Sequence, residues 1–405
     1  DKPFFLYYAT WLVHAPILTH SKAHLDKYAK KLGVDPSKVS KQDTPGQINP
    51  FYCAMVEELD YYVGLMFNYL DTTEDPRWPG HMLSENTYLI FTSDNGGMEG
   101  DSKERYTDNR PLDRGKISAK EGGTRVPLII RGPGIPAGVQ TDVMANGLDF
   151  YPTILSMTGI TKPKGKNLDG CDLMPLLSKN PKDADLVKEL DGATRGTVMH
   201  HFPHGYAMES TLRIGDYKLI RNYDHLSNPK VEPFELYQLY DSAEGKPKRV
   251  DIGEAKNLAK SMPEKVKSMD AELSQILTEM KADLPSYNPK TNSDLPYKNL
   301  VPKLLEHKQV GDAVTFTFKE NGAKVVRAEL IYSQNGGDRY EEWFKMEAKL
   351  EGGNKAHVQL PKGTTHYLIN LIDEHNFLVS YPEMEDYRER SKSKAQYSVS
   401  AIKVN

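Results

Sequence analysis

The hydrophobic period of this chain changes at a proline-marked stretch containing Pro285, Pro289 and Pro296. Upstream, short apolar runs alternate with segments of helical spacing. Downstream the period is two: Val314-x-Phe316-x-Phe318, Leu330-x-Tyr332, Phe344-x-Met346-x-Ala348-x-Leu350, Val358-x-Leu360 and Tyr367-x-Ile369-x-Leu371 all alternate. Asn335-Gly336-Gly337 and Glu351-Gly352-Gly353 punctuate these runs. Strand side chains change face at every residue, whereas helical ones return every third or fourth. The switch therefore separates an α/β part from an all-β part. The short alternating strands read as a β-sandwich over 298–405, and a chain of 405 residues is long enough for both parts.

Upstream of the prolines, residues 3–9 read as a buried strand running into Trp11-Leu12-Val13-His14-Ala15-Pro16. The spacing of Phe51, Met55, Leu59, Tyr62, Val63, Met66 and Leu70 predicts a helix over 50–70. Strands are expected over 87–92 and 126–131, and a helix over 150–158 with Gly159 just beyond it. Two apolar runs around Gly215-Asp216 read as a β-hairpin, and residues 235–240 add a strand. Ser261-x-x-Glu264 has the form of a capping box. It opens a helix with Val266, Met269, Leu273, Ile276, Leu277 and Met280 on one face. Strands alternating with helices indicate an α/β layer architecture. Three parts are expected: 1–200, 201–297 and 298–405.

The chemistry concentrates where the strand over 87–92 runs out into Ser93-Asp94-Asn95-Gly96-Gly97. Carboxylate and amide oxygens delivered into a glycine turn suit a hard cation, Ca²⁺ or Mg²⁺. Lys116 follows 22 residues after Asp94 and offers a compact positive charge for an oxyanion. Together they point to a metal and a tetraoxo anion. His200, His201 and His204 form a histidine-rich tract. Glu121 and Arg125 read as a structural charged pair, and Lys120→Ala is expected to matter little for the activity of a complete enzyme. Cys53 and Cys171 read as free thiols without zinc-site spacing. The net charge of −4 implies no general affinity for nucleic acid, and no run reaches the ~20 apolar residues of a membrane span.

These motifs occur in a particular order. Pro3-Phe4-Phe5-Leu6 precedes His14-x-Pro16, and Asp60-x-x-Val63-Gly64 follows. Next come Ser93-Asp94-Asn95-Gly96-Gly97, Gly115-Lys116, Glu121-Gly122-Gly123-x-Arg125-Val126-Pro127 and Pro133-Gly134. Asp149-x-x-Pro152-Thr153, Leu168-Asp169-Gly170 and Gly215-Asp216-Tyr217-Lys218-Leu219 complete the series. In this order, residues 1 to about 290 resemble the type I, formylglycine-dependent sulfatases of the alkaline phosphatase superfamily.

The resemblance implies an α/β fold with helices around a mostly parallel sheet, then a small antiparallel subdomain. It implies sulfuric ester hydrolysis by S–O cleavage at a calcium-held formylglycine. Asp94 and Asn95 would be metal ligands, Lys116 a sulfate-oxygen contact, His14 a contact to the sulfate or ester oxygen, and His201 and His204 substrate-binding residues. A sulfated oligo- or polysaccharide is the implied partner, and a periplasmic or secreted location the implied setting.

The chain departs from the pattern in one respect: neither cysteine lies in the family's Cys/Ser-x-Pro-x-Arg nucleophile segment, and the family's N-terminal Asp pair is absent. The expectation is an N-terminally incomplete sulfatase domain, inactive by itself, whose nucleophile comes from an upstream segment or a cleaved N-terminal piece. The family often has glycine after its lysine, where this chain has Ile117. Phosphate or phosphonate ester hydrolysis, and an inert or carbohydrate-binding chain, are the competing readings.

Overall fold

The computed structural model describes residues 2–40, 44, 46–99, 105–166, 168–177, 195–203, 207–228, 230–244, 247–291, 294–384 and 396–404. The chain divides into two compact units, Asp1–Tyr223 with Glu232–Ala282, and Asp224–Val231 with Asp283–Asn405. Residues 201–223 and 232–282 thus group with 1–200, and 283–297 group with 298–405.

In the first unit, α1 (Lys22–Leu32) packs against α2 (Pro50–Thr72). Helix α2 begins where Asn49 Oδ1 accepts the backbone N–H groups of Phe51 and Tyr52, with Pro50 opening the first turn. Strand β1 (Leu89–Thr92), the short helix α3 (Glu121–Thr124) and strand β2 (Leu128–Arg131) follow. Helix α4 (Phe150–Thr158) ends at Gly159 in the left-handed region. Strands β3 (Thr197–His201), β4 (Glu209–Ile214), β5 (Tyr217–Asn222) and β6 (Phe234–Gln238) form an antiparallel sheet in chain order, and β7 (Tyr240–Asp241) pairs with β8 (Lys248–Arg249). Helix α5 (Pro263–Glu279) lays Val266 and Met269 on Leu219 and Leu236, and Leu273 and Leu277 on Leu212.

Three expectations for this unit are corrected. Residues 3–9 are not a strand, and Phe5, Tyr7 and Trp11 are 75%, 82% and 90% exposed. An apolar run becomes a strand only where a neighbour takes its N–H and C=O groups, and none of the described strands pairs with it. The mostly parallel sheet is not formed among the described residues: β1 and β2 pair antiparallel, as do all other named strand pairs. Helix α5 lacks the capping box, because Met262 occupies the N-cap and the Ser261 hydroxyl donates to Leu258 O instead. Both cysteines are free thiols, and buried Cys171 Sγ lies 2.8 Å from Arg195. Among the described residues, no helix is long and apolar enough to cross a membrane.

The second unit is all-β, as its period of two requires. Its strands are β9 (Lys303–Val310), β10 (Ala313–Lys319), β11 (Val325–Ser333), β12 (Phe344–Glu351), β13 (Lys355–Gln359), β14 (His366–Asp373), β15 (Leu378–Tyr381) and β16 (Ile402–Lys403). They form one curled eight-stranded sheet rather than the two separate sheets expected of a sandwich. The reason lies in β12: Phe344–Ala348 pair with β11, while Lys349, Leu350 and Glu351 pair with β13. A strand shared in this way carries the sheet around a corner. Phe316, Leu330, Tyr367 and Ile369 fill the interior with no exposed surface.

Candidate active site

Strand β1 ends at Thr92, and exposed Asp94 and half-buried Asn95 follow in a bend. Asp94 Oδ1 accepts the Asn95 backbone N–H at 2.8 Å, and Asn95 Nδ2 donates to Gly96 O at 2.9 Å. The side-chain nitrogen is therefore engaged with the backbone, and the Asn95 contribution to a cation would come from its oxygen.

Gly96 and Gly97 then press directly on the segment that carries Lys116. Gly96 N donates to Gly123 O and Lys116 N donates to Gly97 O, both at 3.0 Å. A methyl group on Gly96 would lie 1.6 Å from Gly122 O, and one on Gly115 would lie 2.0 Å from Gly97 O. Two backbones can approach this closely only where neither carries a Cβ. Asn109 locks the junction, donating from Nδ2 to both Gly97 O and Arg114 O at 2.9 Å. Periodicity gave no hint of Asn109, whose role depends on two carbonyls meeting in space.

His14 reaches this junction from the other end of the sequence. Its flanking residues Leu12, Val13 and Ile17 join a cluster with Phe51 and Met55 of α2, Met98 and Tyr106. Met98 directly follows Gly97, so apolar packing places the histidine loop beside the glycine junction. His14 Nδ1 lies 2.9 Å from Ala15 O. A carbonyl only accepts, so Nδ1 carries the hydrogen and Nε2 is left as an acceptor. Lys116 Nζ donates to that Nε2 at 3.0 Å across 102 positions of sequence. Next to the lysine, Ile117 has φ of +71°. For a β-branched residue this backbone costs about 1–3 kcal/mol and persists only where its surroundings impose it.

A set of buried charges begins three residues further along. Lys120 is 7% exposed, and its ammonium bonds Glu235 at 2.7 Å and the Tyr237 hydroxyl at 2.6 Å. Nothing in the neighbourhood of Lys120 in sequence announces partners 115 and 117 residues away. Glu121 pairs with Arg125 at 2.7 Å and with Lys218 at 2.9 Å. Burial pushes the Glu121 carboxyl up, but Lys218 and Arg125 outweigh it and hold it at about 2. Lys218 also lies 2.9 Å from Glu254 Oε1, an ion pair outside hydrogen-bond geometry. Burial pushes the Glu254 carboxyl up, with Lys218 pulling against it.

His201 ends β3, opposite Ser210 of β4. Its Nδ1 lies 2.6 Å from Ser210 Oγ, which in turn meets the Tyr223 hydroxyl at 2.9 Å. Burial, then the charge of Arg221, lowers its pKa and favours the neutral ring. His204 lies outside the described residues. The structure thus brings His14 and Lys116 into contact and joins the Lys116 segment to the Asp94-Asn95 turn. It engages His201 with Ser210.

Asp94 and Asn95 carry the hard oxygen donors that Ca²⁺ favours over softer metals. Among the described residues, no cluster of three or more His, Cys, Asp or Glu that could hold a metal gathers. The donor type fits Ca²⁺, and these two residues cover only part of the roughly 6–8 oxygens it takes.

Residues 1–160 match the family model described as Sulfatase, and residues 116–281 match the one described as N-sulphoglucosamine sulphohydrolase, C-terminal. The chain belongs to the sulfatase family. A sulfatase of Formosa agariphila is 33% identical over 271 residues, which are 65% of this chain and 43% of that protein. Arylsulfatase K of Homo sapiens is 29% identical over 271 residues, 64% of this chain and 44% of the relative. N-acetylgalactosamine-6-sulfatase of Canis lupus familiaris is 33% identical over 178 residues, 44% of this chain and 29% of the relative. This sulfatase chain spans less than half the length of these relatives. The two family models together run from residue 1 to 281, the stretch that supplies most of the first unit.

Proposed function

We propose that this sulfatase hydrolyses a sulfuric ester on a carbohydrate by S–O cleavage, and that it works in the periplasm or outside the cell. The observation that carries the reading is the 3.0 Å contact of Lys116 Nζ with His14 Nε2, on a loop bonded to the Asp94-Asn95 turn. An ammonium placed there stabilises the negative charge that grows on sulfate oxygens as the S–O bond breaks. His14 Nε2 is the atom that can hold a proton and pass it to the leaving alcohol oxygen. Asp94 and Asn95 are proposed as two ligands of a Ca²⁺ ion, which when bound would polarise a sulfate oxygen.

The attacking group, a hydrated formylglycine, is assigned to residues outside this sequence, since neither Cys53 nor Cys171 has the Cys/Ser-x-Pro-x-Arg context. The carbohydrate class is supported by two of the similarities, to N-sulphoglucosamine sulphohydrolase and to N-acetylgalactosamine-6-sulfatase, both named for amino sugars.

The test is sulfate release by the full-length protein from a sulfated amino-sugar disaccharide, run beside the matching phosphate ester. Sulfate release is expected to exceed phosphate release, and Lys116→Ala to lower kcat by about 10²–10³. The 405-residue chain alone is expected to release none. Faster phosphate release, or full activity in both Lys116→Ala and His14→Ala, refutes the assignment.

A further inference from the structure

The turn that carries Lys116 is held at two points. At its start, Lys116 N donates to Gly97 O at 3.0 Å. Three residues later, Ala119 N donates to Glu209 Oε2 at 2.8 Å, a bond spanning 90 positions of sequence. Between these points lies Ile117, with its left-handed backbone at φ +71°. A β-branched residue does not hold that conformation unaided. Beyond Ala119 the anchoring continues residue by residue: Lys120 is tied to Glu235 and Tyr237, and Glu121 N donates to Glu254 Oε2 at 2.6 Å.

We infer that Glu209 is a positioning residue for Lys116. Its carboxylate clamps the backbone of Ala119, fixes the strained bend at Ile117, and so aims the lysine ammonium at His14. Glu209 opens β4, a strand hydrogen-bonded on both sides by β3 and β5, and is therefore a firm post for a loop to be tied to. Its bond is directed at a backbone N–H, so it controls where the loop runs; an ionised acceptor makes such a bond short and strong. Burial raises the Glu209 pKa while the Ala119 N–H opposes that rise, as expected of a carboxyl engaged in holding main chain. Without the clamp, residues 117–119 can relax toward ordinary backbone angles and carry Lys116 away from His14.

This inference rests on the reading of His14 and Lys116 as the working pair, and its test separates the two. ¹⁵N-histidine NMR of the 405-residue chain reads the His14 Nε2 resonance, assigned with His14→Gln, and Lys116→Ala supplies the shift of the unbonded ring. Glu209→Ala is expected to move the signal to the Lys116→Ala position. Glu209→Gln, which keeps an acceptor, is expected to leave it in place. Should Glu209→Ala not fold, Glu209→Asp, one methylene short of Ala119 N, is read instead. In the full-length sulfatase, the shortened side chain should lower kcat about 10²-fold with KM little changed, the size of effect expected from misplacing a catalytic group by about 1 Å. Glu209→Gln should recover most of it. A His14 signal unmoved by both shortened variants overturns the inference, as does a Gln variant that behaves like Ala. If the signal moves as expected and the full-length protein releases no sulfate, the positioning role stands and the sulfatase activity falls.

Discussion

Replacing Lys218 with methionine should test the buried charges behind the candidate site most severely. Lys218 is the shared cation of two carboxylates, Glu121 Oε1 and Glu254 Oε1, each 2.9 Å from its ammonium. The three side chains are 3%, 7% and 0% exposed, so water cannot replace the lost partner. Removing one member of a buried pair costs about 3–5 kcal/mol, because the remaining charge stays buried. Methionine keeps the volume, so the loss reports charge rather than a cavity.

The pH dependence sharpens the test. Glu121 titrates at about 2 in the fold against an ordinary 4.5. The gap stabilises the wild type by about 3 kcal/mol, fully present above 4.5 and lost as the pH falls toward 2. In Lys218→Met, Arg125 and the nearby charge of Arg213 still lower the Glu121 carboxyl, but Glu121 and Glu254 repel each other. Protonation then relieves the fold instead of harming it. The variant's deficit should therefore be largest at pH 7 and shrink by about half or more near pH 4. Urea unfolding at both pH values, followed by far-UV circular dichroism, measures this. Adding Glu254→Gln should recover part of the loss at pH 7. A deficit under about 1 kcal/mol at pH 7, or one equal at both pH values, would refute the reasoning.

Four further substitutions probe the packing. Gly96→Ala places a methyl 1.6 Å from Gly122 O and should cost about 3 kcal/mol or more through forced backbone shifts. Gly64→Ala, in the interior of α2 with nothing within 4 Å of the new methyl, should stabilise by about 0.5–1 kcal/mol in the same urea unfolding. Leu273→Ala removes a side chain with no exposed surface between α5 and the four-stranded sheet, and should cost about 2–5 kcal/mol. Met280→Ala, at a residue 57% exposed just past the same helix, should stay within about 0.5 kcal/mol, and equal losses at the two positions would show that α5 does not pack as described.

What the sequence determined by itself is local and periodic. Helix α2, the β4–β5 hairpin around Gly215-Asp216, and the alternating strands beyond residue 298 follow from side-chain spacing and turn chemistry, which act over a few residues. Asp94, Asn95, Lys116 and His14 stood out because their residue types and motif order carry chemistry.

Tertiary structure decided everything that depends on a partner far along the chain. Residues 3–9 have the composition of a strand and make no ladder, because pairing is a property of two segments. The all-β part curls into one sheet because β12 divides its hydrogen bonds between two neighbours, which no alternation pattern records. Lys120, Asn109, Glu209 and Lys218 look in sequence like ordinary surface polar residues. They become the supports of the Lys116 loop only when the fold brings their partners to them, and for the buried ammonium groups of Lys120 and Lys218 an unpaired charge is then too costly to leave.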